Sequence, residues 1–339
     1  MTVTDNPVKV AAEAVDQEFL QQADQYRREL LAHCYRMLGS VHDAEDLVQE
    51  TYLRAWRAQD QFEGRSSLRT WLYRIATNVC LTSLESRGRR PLPTGLGAPS
   101  SDPETPVVEQ PEVPWLEPVP DAMVGADLGD PAAIVTNRES IRLALIAALQ
   151  HLPPRQRAVL ILRDVLKWRA AEVAELLDTT TTAVNSMLQR ARAQLDQASP
   201  TQDQVVEPVN ADQRELLDRY VAAFEDYDVA ALVDLFAKDA IWEMPPFIGW
   251  YQGAEAIGRL IECQCPATGP GDLLLLPTQA NGQPGFGMYL RDGDLYRAFS
   301  LHVVTLDRAG ISHVASFFEV ELFPLFGLPM TRPVGADRR

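Results

Sequence analysis

Apolar positions recur at helical spacing through two separated stretches of the chain and in strand-like runs through a third. From Asp43 to Trp56, Ala44, Leu47, Val48, Tyr52 and Ala55 stand three or four apart, which predicts a helix with one buried face. Ser67 to Arg87 repeats the pattern: Leu68, Trp71, Leu72, Ile75, Val79 and Leu84 face inward, Arg69, Arg74, Thr77 and Asn78 face outward, and Ser66 or Ser67 serves as N-cap. Further on, Ile141 to Leu149, Pro153-Pro154 through Arg163, and Ala170 to Leu177 read as three helices. A threonine of Asp178-Thr-Thr-Thr-Thr182 can cap a fourth, Ala183 to Leu195, with Val184, Met187, Leu188, Ala191 and Leu195 inward. A short helix, a polar turn and a basic helix predict a helix-turn-helix.

The last third changes period. Leu216, Leu217, Tyr220, Val221 and Phe224 mark an amphipathic helix, and Asp228 caps another through Phe236. Ala240 to Pro246 reads as a strand ended by prolines. Phe286 to Arg291, Leu295 to Leu306 and Ile311 to Leu322 read as an antiparallel meander, with turns at Asp292-Gly-Asp and Arg308-Ala-Gly. Two or three helices over a curved sheet follow from that order.

Between the helical stretches, ten prolines (91, 93, 99, 103, 106, 111, 114, 118, 120 and 131) exclude regular structure and predict an extended linker. Its one apolar island, Val113-Pro-Trp-Leu-Glu-Pro118, holds a tryptophan that either folds back on a neighbouring domain or serves as a docking motif. A polar run, Ala198 to Gln204, makes a second break. The expected organisation is therefore multidomain: all-α at 18–91, linker at 92–131, an all-α helix-turn-helix unit at 132–198, and an α+β unit at 208–330.

Charge sharpens this division. The net charge of -16 argues against a nucleic-acid partner on average. Locally, six arginines (65, 69, 74, 87, 89 and 90) face one acid, Glu85, between Arg65 and Arg90, whereas 91–131 carries eight acids and no base. Charge sorted by segment implies segments with different partners. No run approaches the roughly 18 apolar residues of a membrane helix and no signal peptide opens the chain, so a soluble cytoplasmic protein is expected. The four cysteines, Cys34, Cys80, Cys263 and Cys265, are too few for a disulfide scaffold, and the last two lack a second pair for a zinc site; no metal or cofactor is expected.

Asp43, Asp46 and Glu50, with Gln49 beside them, line one side of their helix as a hydrogen-bonding stripe suited to a basic partner. The basic helix and the Arg87-Gly-Arg-Arg90 cluster suit single-stranded or distorted nucleic acid, where phosphates need cations and unstacked bases need planar or amide partners.

Four motifs in order carry a resemblance: Asp43-Ala-Glu-Asp-Leu-Val-Gln-Glu-Thr-Tyr-Leu-Arg-Ala-Trp56, Phe62-Glu-Gly-Arg-Ser-Ser67, Thr70-Trp-Leu-Tyr-Arg-Ile-Ala-Thr-Asn78 and Arg87-Gly-Arg-Arg-Pro91. This segment resembles the extracytoplasmic-function sigma factors of bacteria. The resemblance implies that Asp46, Gln49 and Glu50 dock on the clamp helices of core RNA polymerase. It also implies that Phe62 to Ser67, including Arg65 and Ser66, form a loop capturing a flipped base of the -10 element, with Asn78 at that base or its neighbour. Arg74, Arg87, Arg89 and Arg90 complete the expected -10 surface. Extruding a base costs a few kcal/mol, which such a pocket must offset.

Leu152-Pro-Pro-Arg-Gln-Arg-Ala-Val-Leu160 and Gln189-Arg-Ala-Arg192 resemble the -35-reading domain of the same family, a domain that also contacts the polymerase flap. Asn185, Ser186, Gln189, Arg190 and Arg192 are the expected -35 contacts. The chain departs from the family at Asp178, where glycine is usual, and at Asn185 and Met187, at positions commonly basic, so phosphate attraction should be weaker.

The third unit, with Asp239 to Pro246, Gly249-Trp-Tyr-Gln-Gly253 and Phe317-Phe-Glu-Val320, resembles the SnoaL-like cone fold shared with ketosteroid isomerases. Trp242, Met244, Phe247, Trp250, Tyr289, Phe299, His302 and Phe317 could line a cavity or simply form core. Glu243, His302, His313 and Glu319 are conceivable bases, but no pair has a spacing that announces acid–base chemistry. The expectation is a non-enzymatic transcription initiation factor whose third unit contacts the linker or the helical units and regulates them, with a small ligand as a conceivable effector. The alternatives are a ligand-sensing helix-turn-helix regulator acting without polymerase, for which the Asp46 to Glu50 stripe has no use, and an isomerase or cyclase with helical accessories.

Overall fold

Nine consecutive residues, Leu30 to Leu38, are buried in the helix Arg27–Leu38 (α1), around which the first domain is built. The computed structural model describes residues 19, 21–62, 64, 66–100, 102–125, 138–198 and 210–336. The sequence reading did not single out α1, because a helix covered on every side shows no polar stripe. It ends at Gly39, whose φ of +72° is the left-handed C-cap that favours glycine. A Cβ there would stand 3.0 Å from Gln150 Nε2.

Val41–Arg57 (α2) and Leu68–Glu85 (α3) pack on α1 and bury Val41, Ala44, Val48, Ala55, Leu72, Tyr73, Ala76 and Val79. Ser40 Oγ caps α2 by accepting from Asp43 N at 3.1 Å, and Ser67 Oγ caps α3 by accepting from Thr70 N at 3.1 Å. Thr77, expected outward, is wholly buried: its hydroxyl donates to Tyr73 O at 2.7 Å and meets His33 Nε2 at 2.9 Å. Back-bonding to the preceding turn lets a hydroxyl sit on an inward face. Burial lowers the pKa of His33 to about 3.

The second helical set comprises Leu143–Leu149 (α4), Pro154–Leu160 (α5), which continues into a π-turn at Ile161–Val165, Ala170–Leu176 (α6) and Thr181–Ala198 (α7). Thr180 Oγ1 accepts from Ala183 N at 3.1 Å and caps α7. Asp178, in the turn before it, takes a φ of +48°, a conformation glycine would adopt with less strain.

Contacts divide the chain into two units, one from residues 1–89 with 122–200 and the other from 90–121 with 201–339. The helical sets share the first unit, and two buried arginines join them. Arg36 donates to Ser140 O at 3.3 Å and Ser140 Oγ at 2.8 Å, while Arg157 donates to Met37 O, to Gln150 Oε1 at 2.8 Å and to Leu152 O at 3.2 Å. Desolvation draws both guanidinium pKa values down to about 10, so both remain charged at neutral pH. Burying them is costly, and the carbonyls and hydroxyl offset that cost.

In the second unit, Ala211–Glu225 (α8), Val229–Leu235 (α9) and Ala254–Gln264 (α10) accompany a mixed sheet. Its strands are Phe236–Glu243 (β1), Trp250–Gln252 (β2), Leu273–Ala280 (β3), Gln283–Asp292 (β4), Leu295–Leu306 (β5), Ile311–Phe317 (β6) and Thr331–Pro333 (β7). The order is β2-β1-β6-β5-β4-β3, with β7 pairing the start of β5. Neighbours are antiparallel except β1 and β6. Asp228 Oδ1 accepts from Ala231 N at 2.9 Å, the expected cap. The run expected as strand to Leu322 stops at Phe317 and turns into a 3-10 helix, Val320–Phe326; strands β2, β3 and β7 lie outside the runs that the sequence marks as strands, and α10 is the third helix it leaves unplaced.

The proline-rich segment also belongs to the second unit and is laid against it. Glu109 bridges Phe247, Pro120 bridges Ala280, and Asn281 brackets Val119, accepting its N–H on Oδ1 at 2.9 Å and donating to its carbonyl at 3.0 Å. Prolines lack N–H groups, so a proline-rich strap offers chiefly carbonyls. The sheet unit supplies donors: Trp250 Nε1 to Gly97 O at 2.9 Å, and Gln264 Nε2 to the carbonyls of Pro103, Glu104 and Thr105 at 3.1 to 3.3 Å. Trp115 is buried and donates to Gln110 O at 2.9 Å, so the tryptophan folds back within this unit.

Candidate functional site

On α2, Asp46 and Gln49 are exposed and Glu50 is half-buried. Glu50 pairs with Arg54 at 2.6 Å, and Asp43 pairs with Arg87 at 2.5 Å. Exposed pairs of this kind are worth up to about 1 kcal/mol, so a basic partner can displace them. The stripe lies opposite the buried face that seats α2 on α1, which sets the direction it faces.

Near α3, Phe62 packs on Trp71 with ring centroids 5.0 Å apart, which fixes the start of the loop before the helix. Arg65 falls outside the described residues. Ser66 and Asn78 are exposed. Arg69 is instead a structural residue: it pairs with Glu29 at 2.6 Å and covers the ring of Tyr73. Arg74 lies 3.7 Å from Glu175, and Arg89 reaches His151 Nδ1 at 2.9 Å, so the second helical set touches two members of the expected -10 surface. Desolvation and the positive charge of Arg89 lower the pKa of His151. Arg90 donates to Trp115 O at 2.8 Å and lies 3.8 Å from Glu117, both on the strap, and it begins the second unit.

Asn185, Ser186, Gln189 and Arg190 are exposed along α7, while Val184, Leu188, Ala191 and Leu195 are buried beneath them. Arg192 is also exposed, but it is held by Asp164 through two contacts at 2.7 and 2.8 Å. Sequence reasoning missed Arg36 and Arg157, the buried links between the helical sets. An arginine on a helix normally reads as surface, and only the contacts from Arg36 to Ser140 and from Arg157 to Met37, across about a hundred residues of chain, reveal otherwise.

The second unit holds a pocket of about 300 Å3, partly open to its surroundings. Of the expected lining, Trp242, Met244, Phe247, Phe299 and His302 are there; Trp250, Tyr289 and Phe317 are not. Trp250 holds the strap, Tyr289 donates to Pro329 O at 2.9 Å, and Phe317 is buried elsewhere while Ser316 and Phe318 on either side of it line the pocket. His302 meets Tyr220 Oη at 2.8 Å through Nδ1 and Ser300 Oγ at 3.2 Å through Nε2, and burial lowers its pKa to about 3. Glu243 is buried outside the lining, accepting from Thr94 N at 3.0 Å and meeting His313 Nε2 at 2.8 Å. The described lining contains no carboxylate, and of the four conceivable bases only His302 reaches it. Among the described residues, no cluster of three His, Cys, Asp or Glu side chains suits a metal ion, and no helix is long and apolar enough to cross a membrane.

The chain matches the family described as Sigma-70 region 2 over residues 23–90 and that described as Sigma-70, region 4 over residues 142–195. It is 60% identical over 313 residues to the ECF RNA polymerase sigma factor SigG of Mycobacterium tuberculosis, covering 92% of this chain and 84% of that protein. The ECF RNA polymerase sigma factor SigJ of the same organism is 30% identical over 253 residues, covering 72% of each chain. A crystal structure of SigJ matches with a TM-score of 0.58 at 24% identity, covering 92% of this chain and 99% of that one, which shows a shared fold.

Proposed function

Since the chain belongs to the extracytoplasmic-function RNA polymerase sigma factors, we propose a division of labour among its residues in starting transcription. It is a promoter-recognising initiation factor built on sigma regions 2 and 4, and it works with core RNA polymerase and promoter DNA in the cytoplasm. Asp46, Gln49 and Glu50 dock on the polymerase clamp helices. The exposure of Asp46 and Gln49 on a helix whose opposite face is buried is the observation that carries this reading.

Phe62, Arg65, Ser66 and Asn78 receive a -10 base extruded from the duplex, and the Asn78 amide reads its hydrogen-bonding edge. Arg74, Arg87 and Arg89 neutralise the neighbouring phosphates. Arg90, with its carbonyl and carboxylate partners, contributes less to DNA and more to anchoring the strap. In region 4, which also meets the flap, Asn185, Ser186, Gln189 and Arg190 enter the -35 major groove, while Arg192 must exchange Asp164 for phosphate.

The free chain is held in a resting arrangement. Two -10 arginines face Glu175 and His151 of region 4, and Arg36 and Arg157, the latter through Met37 O, tie the two regions together, so productive DNA binding requires their separation. The third unit regulates by seating the linker, since a linker fixed along a sheet limits how far the two DNA-reading regions can part.

Run-off transcription tests the assignment, using core polymerase, the full chain and promoter DNA selected from a random library by the reconstituted holoenzyme. Promoter-specific transcripts are expected from the native chain and none from Asp46→Arg, which should also fail to retain core polymerase in a pull-down. Unchanged retention by Asp46→Arg would remove the acidic stripe from the mechanism.

A further inference from the structure

Within the pocket of the second unit, two polar atoms have been carried out of water without receiving a partner. Trp242 Nε1 and Ser316 Oγ are buried and make no hydrogen bond. Both residues line the same pocket, and the sheet explains why. Trp242 is the register partner of Val314, Ser316 lies two residues further along β6, and His302 pairs with Ser316 across β5, so their side chains share one face. Leaving an indole N–H buried and unpaired forfeits the hydrogen bond it makes to water, a loss natural cores avoid unless something else meets the donor.

The rest of the lining defines what could meet it. Phe224, Phe247, Phe299 and Phe318 supply aromatic walls, and no charged side chain is present in the described lining. His302 is neutral at physiological pH, because burial holds its pKa near 3. A volume of about 300 Å3 lies at the small end of the range for ligand pockets. An anion would find no cation there, and a pure hydrocarbon would leave the indole N–H unpaired.

One wall is contributed by the strap. Val107 lines the pocket, and the strap on either side of it is pinned: Gln264, itself a lining residue, donates to the carbonyls of 103 to 105, Arg259 pairs with Glu104 at 2.5 Å, and Ile248 N donates to Val108 O at 3.1 Å. We propose that this pocket is a binding site for a small, neutral, largely aromatic or alicyclic molecule carrying one hydrogen-bond acceptor, such as a ketone oxygen, which accepts from Trp242 Nε1–H and Ser316 Oγ–H. Val107 packs against the same molecule, so occupancy favours the seated strap to the extent that the unseated form binds more weakly. The site gives the regulatory reading of the third unit a ligand class, and its test uses no transcription readout.

Three bicyclic probes on the full chain decide the matter: α-tetralone, tetralin, which lacks the oxygen, and tetrahydronaphthoate, which replaces it with a carboxylate. Binding is followed by calorimetry and by the indole N–H resonances, with the Trp242 signal assigned from Trp242→Phe. Binding of α-tetralone is expected, with a shift of the Trp242 signal and an affinity about fivefold above that of tetralin, while tetrahydronaphthoate should not bind. Trp242→Phe should remove the preference for α-tetralone over tetralin, and Ser316→Ala should reduce it. Val107→Trp, which fills the pocket from the strap, should abolish binding of both neutral probes. Equal affinities for α-tetralone and tetralin, an unmoved Trp242 signal at saturation, tight carboxylate binding, or unchanged binding to a folded Val107→Trp would each overturn the proposal. Should Val107→Trp fail to fold, the comparison of α-tetralone with tetralin on the native chain still decides.

Discussion

Acid should loosen the third unit through one histidine. His302 is 1% exposed, sits between Tyr220 Oη and Ser300 Oγ, and is surrounded by the rings of Tyr220, Phe224 and Trp242 at centroid distances of 5.3 to 6.2 Å. Its pKa of about 3 in the folded chain compares with 6.5 for the ordinary side chain. The unfolded state therefore takes up the proton first. Stability is fully present above pH 6.5 and is lost as pH falls from there toward the folded value, at about 1.4 kcal/mol per pH unit. By pH 5 the loss is about 2 kcal/mol from this group alone. Urea unfolding of the full chain at pH 7 and pH 5, compared with His302→Gln, isolates it. Carboxylates and His33 titrate in both proteins and cancel, so the variant should retain about 2 kcal/mol more of its neutral-pH stability than the native chain does. Equal losses in the two proteins would refute the argument that burial keeps His302 neutral.

Further tests bear on the helical unit and on one tight turn. Arg157→Met removes a buried cation from several acceptors and should cost about 3 kcal/mol by denaturant titration, while widening the separation of labels placed on regions 2 and 4. Thr180→Ala deletes the cap of α7 and should cost about 1 kcal/mol in thermal unfolding, weakening -35 binding through helix fraying rather than lost contact. Gly310→Ala should destabilise the sheet unit by more than about 1 kcal/mol, because φ is +136° and the added Cβ would stand 2.6 Å from Leu235 O; hydrogen exchange in β6 reads the effect.

Much of the molecule was written in local pattern. The amphipathic stripes placed α2, α3, α7 and α8, hydroxyl and carboxylate residues at helix starts supplied the caps at Ser67, Thr180 and Asp228, and the turns Asp292-Gly-Asp and Arg308-Ala-Gly set the ends of β5. These are interactions between residues a few positions apart, so they survive in the bare sequence. The family motifs belong to the same class, since residues that share one exposed helix face must stand at fixed intervals.

What escaped was whatever depends on residues far apart in the chain. Helix α1 lacked a polar stripe because the fold covers it on every side. Thr77, Arg36 and Arg157 look like surface residues until His33, Ser140 and Met37 O reach them from distant segments. The proline-rich segment reads as an extended linker because proline excludes regular structure, but its spare carbonyls are answered by Trp250, Gln264 and Asn281, far ahead in sequence. The pocket followed the same rule. Period-two alternation cannot say which of Ser316, Phe317 and Phe318 faces a cavity until the register of β5 and β6 is known, and only the folded unit brings Val107 of the strap into the pocket that Trp242 also lines.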